Sequence, residues 1–250
     1  MFDDLADVYD AMIDWPKRLQ RETPFYRRLF DEASVGSVVD VACGTGRHAA
    51  LFHSWGLTVE GADLSPVMIE RSAARFGRPA GLRWVVRGFE EPIAEGRPFD
   101  AAVCVGNSLA LASDLAAAER AIGQMLAAVR EGGLVVVQVL NLWRLPEGPC
   151  QWQKCQRVSV SAAGEPSIET IVLKGVHRWA SHGCLELAVV EPATGRLLKT
   201  ESTPLLAIEA SELERMALNA GARAVALFGG YDGQPYDRRE SVDLVMVARV

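Results

Sequence analysis

Residues 38–49 read VVDVACGTGRHA: an apolar run, an acid, a glycine-rich turn and the opening of a helix. That arrangement lets backbone N–H groups approach a ligand closely at a helix N-terminus. A second strand-like run over 57–62 follows and ends in Asp63. A carboxylate at the tip of the second strand is where a βαβ nucleotide site holds ribose hydroxyls. Together the two features point to a nucleoside cofactor.

The rest of the chain extends the same alternation. Residues 1–33 read as helices, with Thr23 capping a second one and Pro24 at its first position. A strand at 37–41 leads to a helix over 46–55, which Gly56 ends. Ser65 and Pro66 open the helix after the second strand, and 82–86 and 99–105 are the third and fourth strands. A helix from Ser113 or Asp114 keeps Leu115, Ala118, Ile122, Met125, Leu126 and Val129 in helical spacing. Gly132-Gly133 is expected to end it, and 134–140 is a fully apolar fifth strand. Apolar strands between helices indicate a parallel sheet covered on both faces. From 155 to 208 no helix is expected. Short alternating runs there, broken at 164–166, 181–183 and 192–195, read as antiparallel hairpins. Ser211 with Glu214 reads as a capping box for a helix to Ala220, and strands over 223–228 and 242–249 close the chain.

Composition limits the function classes. With 49% hydrophobic and 23% charged residues, the 250-residue chain is an ordinary globule. A net charge of −6 argues against a nucleic-acid footprint. No apolar run reaches spanning length, and the acidic start MFDDLADVYD is not a signal peptide, so a cytoplasmic protein without a membrane partner is expected. Five cysteines without framework spacing read as reduced thiols. Cys150, Cys155, His177, His182 and Cys184 lack a paired C-x-x-C pattern, so no metal is expected.

VDVACGTG resembles motif I of the class I S-adenosylmethionine-dependent methyltransferases, and GADLSPVMIERS, 61–72, resembles their post-I motif. FDAAVCVGNSL and REGGLVVV are similar to the small-molecule branch that includes glycine N-methyltransferase and bacterial sugar-amine N-methyltransferases. The resemblance is good over about 5–140, moderate over 205–250 and weak over the hairpin segment. Asp40 inside the motif also favours this cofactor over NAD, whose pyrophosphate a carboxylate would repel. The fold implied is an α/β, Rossmann-like sheet, mostly parallel with the last strand antiparallel, carrying a β-rich antiparallel lid insertion. Residues 1–150 would form the cofactor-binding core, 151–208 the lid, and 209–250 the part completing the core.

The resemblance implies S-adenosylmethionine as cofactor and assigns the residues. Asp63 takes the ribose hydroxyls, although it could be only a helix cap. Gly44 and Gly46, with Asp40, Ala42 and Cys43, adjoin the methionine part. Leu64 and Met68 flank the adenine, Met68 being open also to plain core packing. Gly88, Phe89 and Glu90 follow the third strand, Val105 and Asn107 the fourth, and Tyr9 covers the cofactor or is a surface aromatic. Asn141, Trp143, His177 and Tyr231 are expected at the acceptor, with Trp152 and Trp179 beside Trp143 in an apolar pocket. The acceptor is a small molecule, and a homodimer through the lid is possible.

Departures matter. The family's adenine-binding acid after the third strand is usually in a Gly-Asp pair, but here the order is Arg87-Gly88-Phe89-Glu90. The histidine that often follows the GNS segment is replaced by Leu111. The arginine that holds the carboxylate in glycine N-methyltransferase is replaced by Leu140, which disfavours glycine as acceptor. No compelling base stands out among His177, His182, Tyr231 and Asp232. That mildly favours N-methylation. The rival reading is a cofactor-binding partner protein that has lost catalysis.

Overall fold

The computed structural model describes residue 10 and residues 13–94, 98–148, 151–160 and 168–250; of 151, 153–160 and 168 it describes the backbone alone. Tyr9, Cys150 and the side chain of Cys155 lie outside the described residues. Helix α1 runs from Trp15–Glu32, capped by Asp14, whose carboxylate accepts from the Lys17 N–H. Pro24 sits inside it and starts no second helix. The Thr23 hydroxyl, read as a cap, donates instead to the Leu19 carbonyl at 2.7 Å. One buried stripe, Trp15, Phe25, Tyr26, Leu29 and Phe30, continues through the proline, so packing overrides the local stop signal.

The main sheet holds β1 (Ser37–Val41), β2 (Thr58–Asp63), β3 (Leu82–Val86), β4 (Phe99–Cys104), β5 (Val129–Leu140), β10 (Ala224–Phe228) and β11 (Asp243–Arg249). Its order is β10-β11-β5-β4-β1-β2-β3, with β11 antiparallel to both neighbours and the remaining pairs parallel. Asp40 therefore pairs with Gly61 on one side and Val103 on the other. Strand order reverses at β1, and the crevice beyond the carboxyl ends at such a switch is where open sheets bind ligands.

Helices α2 (Arg47–Ser54), α3 (Pro66–Phe76), α4 (Leu115–Ala128) and α5 (Ala210–Asn219) cover the faces. Alternate strand residues divide the core. Val39, Ala102, Val135 and Val137 pack with α4 and α5, while Val38, Ala101, Val103 and Val136 pack with α1, α2 and α3. Each buried valine or leucine contributes about 1.5–3 kcal/mol, which is why these strands read as unbroken apolar runs.

Two boundaries differ from the sequence reading. The glycine pair does not end α4; the helix stops at Ala128 and β5 starts at Val129. Gly132 and Gly133 lie within the strand, where a register irregularity occurs, and a Cβ at Gly133 would fall 2.4 Å from the Asp100 carbonyl. Helix α5 is opened by Glu209 and Glu212, each side chain bonded to the other's backbone, rather than by Ser211 and Glu214.

A second sheet follows β5: β6 (Gln151–Val160), β7 (Ile168–Trp179), β8 (His182–Glu191) and β9 (Arg196–Leu206), antiparallel in chain order. Among the described residues of this segment the strands pair as antiparallel hairpins and no helix occurs, with the first strand starting at 151; the expected break at 164–166 lies outside the described residues. Gly183 packs onto Leu142, so closely that a Cβ would come within 2.5 Å of Leu142 Cδ1. Among the described residues no helix is long and apolar enough to cross a membrane.

Candidate functional site

A cavity of about 1050 Å³ opens at the carboxyl edge of the main sheet. Its floor comes from Ala42 and Gly44 after β1, Asp63 and Leu64 at β2, Arg87 to Glu91 after β3, and Gly106 to Ser108 after β4. The far wall is Lys174, Leu185 and Thr203 to Leu205 of the second sheet. The first helix adds Arg18, Arg21 and Glu22.

The glycine turn is fixed from below. Ala42, Gly44 and Gly46 all have positive φ, at 56°, 54° and 75°. Gly44 lines the cavity and donates its N–H to Asp63 Oδ2 at 2.8 Å, while Asp63 Oδ1 accepts from the Ser65 N–H at 2.9 Å. The carboxylate is thus locked at the strand tip, as a ribose-binding group must be. Gly46 differs from Gly44, because a Cβ there would lie 2.6 Å from Trp84 Cη2. It permits close packing of α2 and does not line the cavity. Asp10 spans this turn, accepting from Thr45, Arg47 and Arg75. Burial alone would raise its pKa, but those bonds hold it below the usual carboxylate range.

Beside Asp63 is an apolar slot. Leu64 is 71% exposed, Met68 forms part of the wall, and Gly88 and Phe89 face them. Glu90 lines the slot but is held by Arg120, with Nη2 to Oε2 at 2.7 Å. Glu91 accepts from the Gly88 N–H at 2.7 Å and closes the turn. Both acids therefore shape the loop after β3.

Asp40, Cys43 and Val105 are buried behind the turn and do not line the cavity. Burial, reinforced by the charge of Asp63 and opposed by the Ala49 N–H, pushes the Asp40 pKa up to about 8. Its Oδ2 has no hydrogen-bond partner among the described residues. A folded pKa above the unfolded value makes the protonated group fit the fold, so its contribution is lost as pH rises toward 8. The thermal midpoint of Asp40→Asn minus that of the wild type should therefore grow between pH 5 and pH 9. Parallel melting profiles for the two proteins would show that Asp40 does not titrate in this window.

The sequence reading missed the contribution of α1. Arg18 donates to Glu22 at 2.8 Å, and Glu22 bonds His48 at 2.7 Å. Burial lowers the His48 pKa despite that acid, whereas His48 and Arg18 keep the buried Glu22 ionised. The Arg18 guanidinium faces Gly106, 3.7 Å from where a Cβ would stand. It places a cation in the cavity that suits a carboxylate such as that of a bound methionine moiety. Asn107 lines the cavity with φ 71°, but its Oδ1 is committed to the Leu140 N–H at 2.8 Å.

Of the four expected acceptor residues, Tyr231 lines the cavity, stacked edge-on against Phe25. Asn141 is instead a backbone clamp, bonded to the carbonyls of Arg238 and Ser241 and to the Tyr236 hydroxyl. Trp143 takes cation–π contacts from the guanidiniums of Arg178, at 5.0 Å, and Arg238, at 4.5 Å. His177 pairs with Cys184, in the set of strand residues alternate to Lys174, Leu185 and Thr203, and so falls on the other face of the second sheet. There it forms a group with Cys184 and Glu186 whose candidate ligand atoms lie within 4.8 Å of one another. Trp152 and Trp179 share that alternate set and are half exposed. The expected tryptophan pocket is therefore absent from the cavity. Its apolar wall is Leu111, Leu140, Leu185, Leu205 and Val242.

Residues 38–133 match a family described as a methyltransferase domain. The fold agrees along the whole chain: the CcbJ methyltransferase from Streptomyces caelestis superposes with a TM-score of 0.77 at 21% identity, covering 98% of this chain and 96% of that one. Residues 38–133 therefore carry a methyltransferase domain, and the chain is similar to the class I S-adenosylmethionine-dependent methyltransferases. The methyl donor of this family is S-adenosylmethionine, and the described residues suit it: a locked carboxylate, an apolar slot beside it and a cation across the turn. A glycine/sarcosine N-methyltransferase of Parasynechococcus marenigrum (strain WH8102) is 32% identical over 58% of this chain and 52% of its own length. A dTDP-4-amino-2,3,4,6-tetradeoxy-D-glucose N,N-dimethyltransferase of Saccharopolyspora spinosa is 29% identical over 58% of the chain and 56% of its own length. The chain thus spans about half the length of the curated relatives it matches. A sugar N-methyltransferase from Streptoalloteichus sp ATCC 53650 superposes with a TM-score of 0.70 at 25% identity, covering 92% of this chain and 87% of that one.

Proposed function

We propose that this methyltransferase transfers the methyl group of S-adenosylmethionine to a nitrogen of a small-molecule amine. The observation that carries the reading is one cavity with two ends. Asp63, Gly44 and the slot of Leu64 and Met68 suit the nucleoside, and the apolar wall of Leu111, Leu140 and Leu185 leaves room for an acceptor beside it. Asp63, Ala42, Gly44, Leu64, Met68, Gly88, Phe89, Glu90 and Asn107 are the proposed cofactor residues, joined by Arg18. Tyr231 and the second sheet serve the acceptor.

The chemistry asks for alignment. Attack on the methyl carbon is an in-line displacement with a neutral thioether as leaving group, so the protein need not protonate it. Holding the two reactants in line is worth about 7–11 kcal/mol. Named relatives act on glycine and on amino sugars, and nitrogen is the atom common to both.

Leu140 bears on the choice of amine. It lines the cavity at the end of β5 with no cationic group of its own. Leu140 offers no charge to an acceptor carboxylate at that point of the wall, where burial of an unpaired carboxylate costs several kcal/mol; of the nearby cations, Arg18 is bonded to Glu22 and Arg21 faces Asp243. Glycine and sarcosine should therefore show no useful turnover with the wild-type protein, while amines lacking a carboxylate are methylated. Radiolabelled methyl transfer across such a panel tests this, and robust glycine turnover would overturn it. Phe89 and Leu111, which stand where the resemblance leads one to expect other residues, motivate a second reading: a cofactor-binding protein without turnover. Binding of S-adenosylmethionine with no transfer to any member of the panel would favour it.

A further inference from the structure

We propose that Asp243 receives the acceptor's ammonium group and takes its proton before methyl transfer, held in place by Gln138. The assignment rests on the N-methylation reading above.

The other carboxylates of the cavity are committed. Asp63 is tied to the backbone of Gly44 and Ser65, and Glu22 to Arg18 and His48. Glu90 is tied to Arg120, and Glu91 to the Gly88 N–H. Asp243 is different. Its Oδ1 accepts from Gln138 Nε2 at 2.8 Å, whereas its Oδ2 accepts no hydrogen bond among the described residues. The nearest charge to that oxygen is the Arg21 guanidinium at 3.8 Å, on a side chain 59% exposed. Asp243 lines the cavity, so this oxygen is open to a donor that enters it.

The support for Asp243 is built in. Gln138 Oε1 accepts from the backbone N–H of Gly106 at 2.7 Å and of Asn107 at 3.2 Å. That fixes the orientation of the amide and leaves its NH₂ to point at Asp243. The loop after β4 thus sets the position of the acid across β5. Asp243 opens β11, opposite Leu140, so it stands beside the apolar acceptor wall.

Its surroundings suit a proton acceptor. Burial raises the Asp243 pKa; Arg21, Gln138 and Arg18 oppose the rise, and Glu22 adds to it. Tyr231 lies close enough to feel its charge. A carboxyl group with a raised pKa is a better proton acceptor than a free aspartate. In the step itself the proton of R–NH₃⁺ passes to Asp243 Oδ2, leaving R–NH₂ and a carboxylic acid. The nitrogen lone pair then forms the N–C bond as the C–S bond breaks, and that electron pair stays on sulfur as a thioether. The product is R–NH₂⁺–CH₃, and the proton on Asp243 leaves to solvent.

The test measures kcat/KM against pH for wild type, Asp243→Asn and Asp243→Glu. The probes are 2-aminoethanol, benzylamine, cyclohexylamine and glucosamine, with hydroxyl counterparts of each. Calorimetric titration with S-adenosylmethionine checks that each variant is folded. The expected result is a loss of about 100-fold for Asp243→Asn at neutral pH, with cofactor affinity retained. The loss should shrink about tenfold per pH unit toward the pKa of the amine, because free amine then arrives from solvent. Asp243→Glu should restore part of the rate. A wild type that methylates an amine, with Asp243→Asn equal to it at every pH, overturns the role of Asp243. A wild type that methylates only hydroxyls, or none of the probes, overturns the N-methyl reading and this assignment with it.

Discussion

Asp63→Ala should weaken S-adenosylmethionine binding by about 10- to 100-fold. Hydrogen bonds to a charged group contribute about 1.5–3 kcal/mol, and 1.4 kcal/mol is tenfold in affinity. Two effects combine here. The ribose hydroxyls lose their acceptor, and the N–H groups of Gly44 and Ser65 lose the oxygen that fixes the turn. Asp63→Asn separates them. It keeps an oxygen for one N–H and removes the charge, so its affinity should fall between the two. Calorimetry with purified protein reads both variants, and far-ultraviolet circular dichroism shows whether the sheet is intact. Wild-type affinity in folded Asp63→Ala would remove the residue from the site.

The glycine turn and the acid beside it are legible because their signal is local. A glycine turn after an apolar strand, and an acid at the tip of the next, are short-range patterns with a direct geometric meaning. Gly44, Asp63, Leu64 and Phe89 all line the cavity. The proposed acceptor end is not legible, because it is assembled by register. Gln138 and Asp243 are 105 residues apart and meet only because β11 returns antiparallel to β5. A signal was nonetheless present: Gln138 interrupts the run LVVVQVL, and a polar side chain in a buried strand must find a partner. The tryptophans and His177 lie away from the cavity for a related reason. On a strand, the face a residue takes is fixed by odd or even position relative to its partners, and composition does not carry that parity. Arg18 and Glu22 lie in a segment, 1–33, that the sequence marks only as helical.

The second sheet should govern transfer and leave cofactor binding alone. The proposed nucleoside end of the cavity is made by the loops after β1 to β4, whereas the second sheet supplies Lys174, Leu185, Thr203, Pro204 and Leu205. A sheet in that position would exclude water from the sulfonium and hold the acceptor in line. A misplacement of about 1 Å in such a step can cost on the order of 100-fold. Replacing residues 151–202 with a short linker keeps Leu205, Ala207 and Ile208, which belong to the main core. The shortened protein should bind S-adenosylmethionine within about threefold of wild type and lose methyl transfer by at least about 100-fold. Gly183 covers Leu142, so the deletion exposes a core leucine and could unfold the chain for that reason alone. Leu185→Asp gives the milder form. It leaves the sheet in place and puts a charge in the acceptor wall, so kcat/KM for an amine should fall while the cofactor dissociation constant holds. Transfer at the wild-type rate in either variant would assign the second sheet some other role, and loss of cofactor binding in folded Leu185→Asp would show that the two ends of the cavity are not separable.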